Sequence, residues 1–204
     1  MTHYRTILSR CRHEPDKVKG SRHIATGIPL TNEAEVQAML QALRSEFPAA
    51  NHHAYAWRLG RAGERFHYSD DGEPSGSAGR PILQHLEGRE VTNLLLVVTR
   101  IFGGTKLGVG GLVRAYGGAA AELLNVADIV TVVPKSRLTI RYGYECTNAI
   151  QALIHSRQTK TLQSDYGSEV TLVLEVLESE TADIRAEILD ATAGTATITV
   201  EIDS

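Results

Sequence analysis

Apolar residues recur along the chain at two spacings, every second position and every third or fourth, and the switches between them lay out the elements. Residues 5–11 and 18–29 read as two strands around a turn at 13–17. Residues 32–47 read as a helix. Its stripe is Val36, Met39, Leu40, Leu43 and Phe47, Asn32 with Glu35 has the form of a capping box, and Pro48 ends it. A strand over 51–58 then puts His52 and His53 on opposite faces. The Gly, Ser and Pro-rich stretch 67–81 is too broken to be regular and reads as an ordered loop, after which Pro81 opens a short helix carrying Leu83 and Leu86. Leu94 to Val98 is an apolar run of strand length. Five glycines follow between Gly103 and Gly111, and Leu112, Ala115, Ala119, Leu123 and Val126 then mark a helix.

Ile129 to Val133 reads as one more strand, and Pro134-Lys135-Ser136 as a linker. Beyond it strand and helix spacings follow one another in the order βαββαβ, the ferredoxin-like arrangement. The expected fold class is therefore α+β, with an N-terminal domain over 1–134 and a ferredoxin-like C-terminal domain over 135–204.

Composition narrows the setting. The hydrophobic fraction of 42% suits a globular protein, the apolar runs are shorter than a membrane span, and the first twelve residues lack the apolar core of a signal peptide. The two cysteines, Cys11 and Cys146, fall in different expected domains and imply no disulfide framework. These features predict a cytoplasmic protein without a membrane partner. The net charge of −3 divides unevenly: residues 1–130 hold fifteen Lys or Arg against thirteen Asp or Glu, whereas residues 131–204 hold six against eleven. Binding to an anion is thus expected of the first part.

Within it, no acid occurs between Glu90 and Glu122, while Arg100, Lys106 and Arg114 do. With Arg114 placed in the first helical turn, where the dipole disfavours a cation, a phosphate-like anion would satisfy both the helix start and the basic side chains. The bland alternative is a tight packing turn whose cations pair with acids elsewhere. Gly108 and Gly110 fail the dinucleotide pattern at Val113, and a P-loop begun at Gly103 meets Val109 where Lys is needed. The predicted anion or RNA contacts are Lys19, Arg22, Arg100, Gly103, Gly104, Lys106, Gly108, Gly110, Gly111 and Arg114, with Tyr55 or Trp57 to stack a base. A second candidate is the acidic loop with His67, Asp70, Asp71 and Glu73, whose spacing matches no zinc or calcium pattern; no metal, cofactor or catalytic residue is assigned from it.

Residues 67–82, H-Y-S-D-D-G-E-P-S-G-S-A-G-R-P-I, and 97–117, V-V-T-R-I-F-G-G-T-K-L-G-V-G-G-L-V-R-A-Y-G, together resemble the signature of the IMPACT family, in particular its bacterial YigZ-type members. K-G-S-R-H-I at 19–24 and N-H-H-A-Y-A-W at 51–57 agree, although His23 stands where many members have Phe. The resemblance implies an N-terminal domain similar to domain IV of elongation factor G and a link to translation, since eukaryotic relatives act in translational control by binding. It implies no established catalytic residues. The expected function is a non-catalytic binding protein that contacts RNA or a ribosome-associated partner. An enzyme acting on a small phosphorylated or acidic substrate, and a protein-interaction module regulating a kinase or other partner, are the alternatives.

Overall fold

The computed structural model describes residues 3–202; Met1, Thr2, Asp203 and Ser204 lie outside the description, as does the side chain of Ile202. The chain divides between Val132 and Val133 into two compact units.

The first unit is built on a five-stranded antiparallel sheet in the order β2-β3-β6-β4-β5. Its strands are β2 (Cys11–His13), β3 (Arg22–Pro29), β4 (His52–Leu59), β5 (Arg65–Ser69) and β6 (Leu94–Ile101). The central strand β6 opens with an unbroken apolar run, Leu94 to Val98, because both of its faces are covered there. On one face Leu95 and Val97 join Tyr55, Trp57 and Leu59 of β4 and meet Val36, Leu40 and Leu43 of α1 (Val36–Glu46). On the other, Leu94, Leu96 and Val98 lie with Ala25, Ala54 and Ala56 beneath α2 (Gly79–Gly88) and α3 (Val109–Val126). Those alanines leave room for the two helices to pack closely.

Several boundaries differ from the sequence reading. The stretch 5–11 is not one strand: β1 (Tyr4–Ile7) pairs with β7 (Ile129–Val132) in a separate two-stranded sheet, and the chain bends before β2 joins β3. Alternating apolarity specifies a strand's buried face and not its partner, so this break left no signal. The 32–47 helix opens with a 3-10 turn at Glu33–Glu35, where Asn32 Oδ1 accepts from Ala34 N and Glu35 bonds Thr31 Oγ1 instead of closing a capping box. Pro81 is the third residue of α2, not its first. Val126 is exposed at the end of α3.

The second unit contains β8 (Lys135–Tyr142), α4 (Thr147–Ser156), β9 (Lys160–Tyr166), β10 (Val170–Leu177), α5 (Thr181–Ala191) and β11 (Thr197–Ile202). Its four strands form an antiparallel sheet in the order β11-β8-β10-β9. Ser136, Leu138, Ile140 and Tyr142 of β8 and Val170, Leu172, Leu174 and Val176 of β10 are buried, and the hydrophobic ones pack in one core with Ile150 and Ile154 of α4 and Ile184 and Ile188 of α5. Pro134 is buried and Lys135 already begins β8, so Pro134-Lys135-Ser136 is part of the second unit and not a linker.

Candidate functional site

Strand register assembles a polar row in the covered face of the first sheet. Arg100 on β6 lies opposite His23 on β3 and opposite His52 on β4, so three polar side chains sit side by side on one face of the sheet. The loop after β5 delivers an acid to them. Arg100 Nη1 donates to Glu73 Oε1 (2.6 Å), Tyr116 Oη of α3 donates to the same oxygen (2.7 Å), and His52 Nε2 is 3.8 Å away. Both members of the Glu73–Arg100 pair are buried. Removing one partner from such a pair strands the other's charge, which typically costs about 3–5 kcal/mol.

The loop that holds Glu73 is shaped by its neighbouring acids. Asp70 accepts from the backbone N–H groups of Gly76, Ala78 and Gly79 at 2.8–2.9 Å, closing the loop and capping α2 in place of Ala78, which has no side-chain acceptor. Asp71 adopts a left-handed backbone (φ 46°), accepts from His53 N and from Arg44 at 2.6 Å each, and presents its carbonyl to His52 Nδ1 at 2.8 Å. Gly79 is required because a side chain there would run into the Ser69 backbone. His67 does not join this group: it lies opposite Trp57 on β4, against the rings of Tyr55 and Trp57. Among the described residues no group of three or more His, Cys, Asp or Glu is placed to share a metal ion.

Burial sets the protonation of this centre. It pushes the Tyr116 hydroxyl far above its ordinary range, with Glu73 adding to the effect, so the phenol remains a donor. Burial, and then the Arg100 charge, depress His23 to about 4, which keeps its ring neutral near pH 7. Neither ring nitrogen of His23 has a hydrogen-bond partner within the protein, and the ring meets Tyr116 edge-on at 5.2 Å.

The sequence-predicted cations separate into two kinds. Arg100 is not a surface cation, because its charge is neutralised by Glu73 of the other motif. Arg22 is held by Glu14 through two bonds of 2.6 and 2.8 Å. Lys19, Lys106 and Arg114 are exposed. Arg114 is the sixth residue of α3, in its second turn, so the dipole conflict expected of a first-turn cation does not arise.

The glycines also divide. A side chain on Gly103 would overlap Gly20, and Ser21 Oγ accepts from Gly103 N (3.1 Å), so that this glycine serves a close approach within the chain and locks the 19–21 and 102–104 segments together. Gly111 is crowded by Leu107, a side chain on Gly110 would lie 3.9 Å from Arg114 Nη1, and Gly104 and Gly108 face open space. Gly108 caps α3 at φ 72° and ψ 163°, a conformation open to glycine alone. The first intrahelical bond runs from Leu112 N to Gly108 O, and no side chain caps the amides of Val109, Gly110 and Gly111.

Tyr55 and Trp57 cannot stack a base, since they are 8% and 4% exposed in the core beneath α1. The accessible aromatic beside the glycine loop is Phe102, 44% exposed with the Arg100 guanidinium carbon 5.5 Å from its ring centre. Sequence reasoning missed Phe102, Tyr116 and the role of His52. Tyr116 left one signal, a hydroxyl inside an otherwise apolar helical stripe that needs a buried partner.

A glycine-loop, cation-bearing sheet domain followed by a second antiparallel sheet unit defines a two-unit α+β protein. Residues 19–124 match the Impact N-terminal domain, and residues 140–195 match a domain of unknown function, DUF1949. The chain belongs to the IMPACT family. It is 33% identical over 181 residues to "IMPACT family member YigZ" of Escherichia coli (strain K12), covering 88% of this chain and 89% of that protein. To "IMPACT family member in pol 5'region" of Thermus thermophilus it is 39% identical over 140 residues, covering 69% and 75%. A solved structure described as a hypothetical protein superposes with a TM-score of 0.66 at 29% identity, covering 97% of each chain. Among the described residues no helix is long and apolar enough to cross a membrane.

Proposed function

We propose that the protein binds RNA, in a translation-linked role, through the glycine-loop surface of its first unit. The observation that carries this reading is the open start of α3: uncapped amides at Val109–Gly111, no acid in the first turn, exposed Lys106 and Arg114, and the exposed ring of Phe102 on the same loop. Amides and cations suit phosphates, and an exposed aromatic suits a base whatever its identity. The enzyme reading is weaker, because Asp70, Asp71 and Glu73 are already bonded to the chain. We read the first unit as similar to domain IV of elongation factor G. We read the second as ferredoxin-like, on its βαββαβ order with β8 and β10 central. A cytosolic setting fits two free cysteines in separate units.

The test is binding of short single-stranded RNA to wild type and to a Lys106→Ala, Arg114→Ala double variant at two salt concentrations. Binding that weakens steeply with salt, with a shallower slope in the variant, is expected, since each lost phosphate contact removes about one from the slope. Equal affinity in the two proteins, or no affinity in either, overturns the reading.

A further inference from the structure

A second feature of the first unit lies behind the glycine loop. The segment between β2 and β3 and the side of α3 enclose a cleft of about 650 Å³, within the range of small-molecule sites. His23, 1% exposed, forms part of its wall, and its ring has no partner in the protein. Both ring nitrogens are almost fully covered, and a buried imidazole without a hydrogen bond is costly, so a polar group that reached the ring from the cleft would relieve that cost. Its neutral state matters here: one ring nitrogen donates and the other accepts, as the edge of a heterocyclic base does.

The rest of the lining favours one kind of molecule. Ala115, Gly118 and Ala119 give the cleft a low apolar side on which a flat ring can lie. Arg114, Lys17 and Lys19 supply positive charge; of the three acids in the lining, Glu14 is held by Arg22 and Glu122 by His13, which leaves Asp16 as an acceptor of the kind that takes sugar hydroxyls. An inorganic anion would use only the cations, and an apolar ligand none of these groups. The 19–21 segment is locked to Gly103, so that Lys19 ties the cleft to the glycine loop.

We propose that this cleft is a nucleoside-phosphate site, in which the edge of a base bonds the His23 ring and the phosphate meets Arg114 and Lys19. The nucleotide is either free or one residue of an RNA strand; in the second case the site deepens the reading above and rests on it. Gly118 offers a clean way to block it. A side chain there meets nothing within 4 Å, so Gly118→Leu fills the cleft while favouring the helix.

The experiment measures binding of the four ribonucleoside 5′-monophosphates, ribose 5-phosphate, inorganic phosphate and short single-stranded RNA to wild type, Gly118→Leu and His23→Phe, with folding checked by thermal melting. At least one monophosphate, or the RNA, is expected to bind wild type and to lose about tenfold or more in both variants. Ribose 5-phosphate and inorganic phosphate are expected to bind at least about tenfold more weakly than the monophosphate. If only RNA responds, the strand is the source. If only monophosphates respond, the cleft stands and the RNA reading fails. RNA binding that is lost in the Lys106, Arg114 double variant yet unchanged in Gly118→Leu and His23→Phe, with no monophosphate binding, overturns the cleft and leaves the RNA reading intact. Phosphate binding as tight as the monophosphates, or binding indifferent to both cleft variants, also overturns it.

Discussion

The two units are both antiparallel sheets with helices, yet they bury different things. In the second, β8 and β10 alternate between buried and less buried positions, one sheet face meets α4 and α5, and the buried polar groups include Ser136, Thr192 and the Tyr142 hydroxyl. In the first, helices cover both faces, and His23, His53 and Arg100 are buried along with Glu73. Apolar burial alone is therefore sufficient to make such a fold. The charges inside the first unit are an added expense, and they coincide with the surface for which a function is proposed. A buried ion pair is weak evidence for stability, and in some proteins it serves to fix an arrangement. Here the arrangement is the tie between the 70–78 loop, β6 and α3, which holds the glycine loop and the helix start at one edge.

The largest expected effect tests whether that tie is structural. Glu73→Ala should leave Arg100 buried and unpaired and destabilise the first unit by about 3–5 kcal/mol, with little change in the second. Denaturant unfolding followed separately by Trp57, which lies in the first unit, and by far-UV circular dichroism distinguishes the two. A loss below about 1 kcal/mol would mean that the pair is as weak as a surface one, and the contrast between the units would lose its energetic basis.

Acid is the next probe. His23 has a folded value of about 4 against 6.5 when unfolded, so between these values the unfolded chain binds more protons and stability rises with pH. Falling from pH 6.5 to 4 should remove roughly 3 kcal/mol from the first unit. His53 and His85, depressed mainly by burial, act in the same direction. His23→Phe should flatten the dependence in that window. If melting temperatures of wild type and His23→Phe fall in parallel from pH 6.5 to 4, the histidine is not the cause.

The smallest effect concerns the sheets themselves. Thr139→Ala, between two buried residues of β8, should cost under about 1 kcal/mol, because it lies on the face away from α4 and α5. In β6 the corresponding neighbours Leu95 and Leu96 face different helical layers, and either one changed to Ala should cost about 2–5 kcal/mol. Urea midpoints for the three variants make the comparison. Equal losses at Thr139 and Leu95 would erase the distinction between a one-sided and a two-sided sheet.

Much of this was legible in the residues. The apolar spacing of 36–47, of 94–98 and of the second unit predicted helix, buried strand and alternating strands, because side-chain periodicity is a local property of the backbone. The two signature motifs marked the family. Which charges remain available was not legible. Arg100 sits in an acid-free run of sequence and still has an acid at 2.6 Å, since Glu73 arrives from 27 positions away across the sheet. Tyr55 and Trp57 carry the right chemistry for stacking, but their parity places them under α1. The glycines look alike in sequence; only the fold shows that Gly103 accommodates Gly20 while Gly108 faces open space.

The sequence by itself determined most of the elements and the family, because each follows from local spacing or from an unbroken motif. The tertiary structure alone decided the pairing of Glu73 with Arg100 and Tyr116, the burial of His23 against the cleft, and the exposure of Lys106, Arg114 and Phe102. The physical reason is that an electrostatic or hydrogen-bonded partner is chosen by distance in space, and strand register and helix packing set that distance between residues the chain keeps far apart.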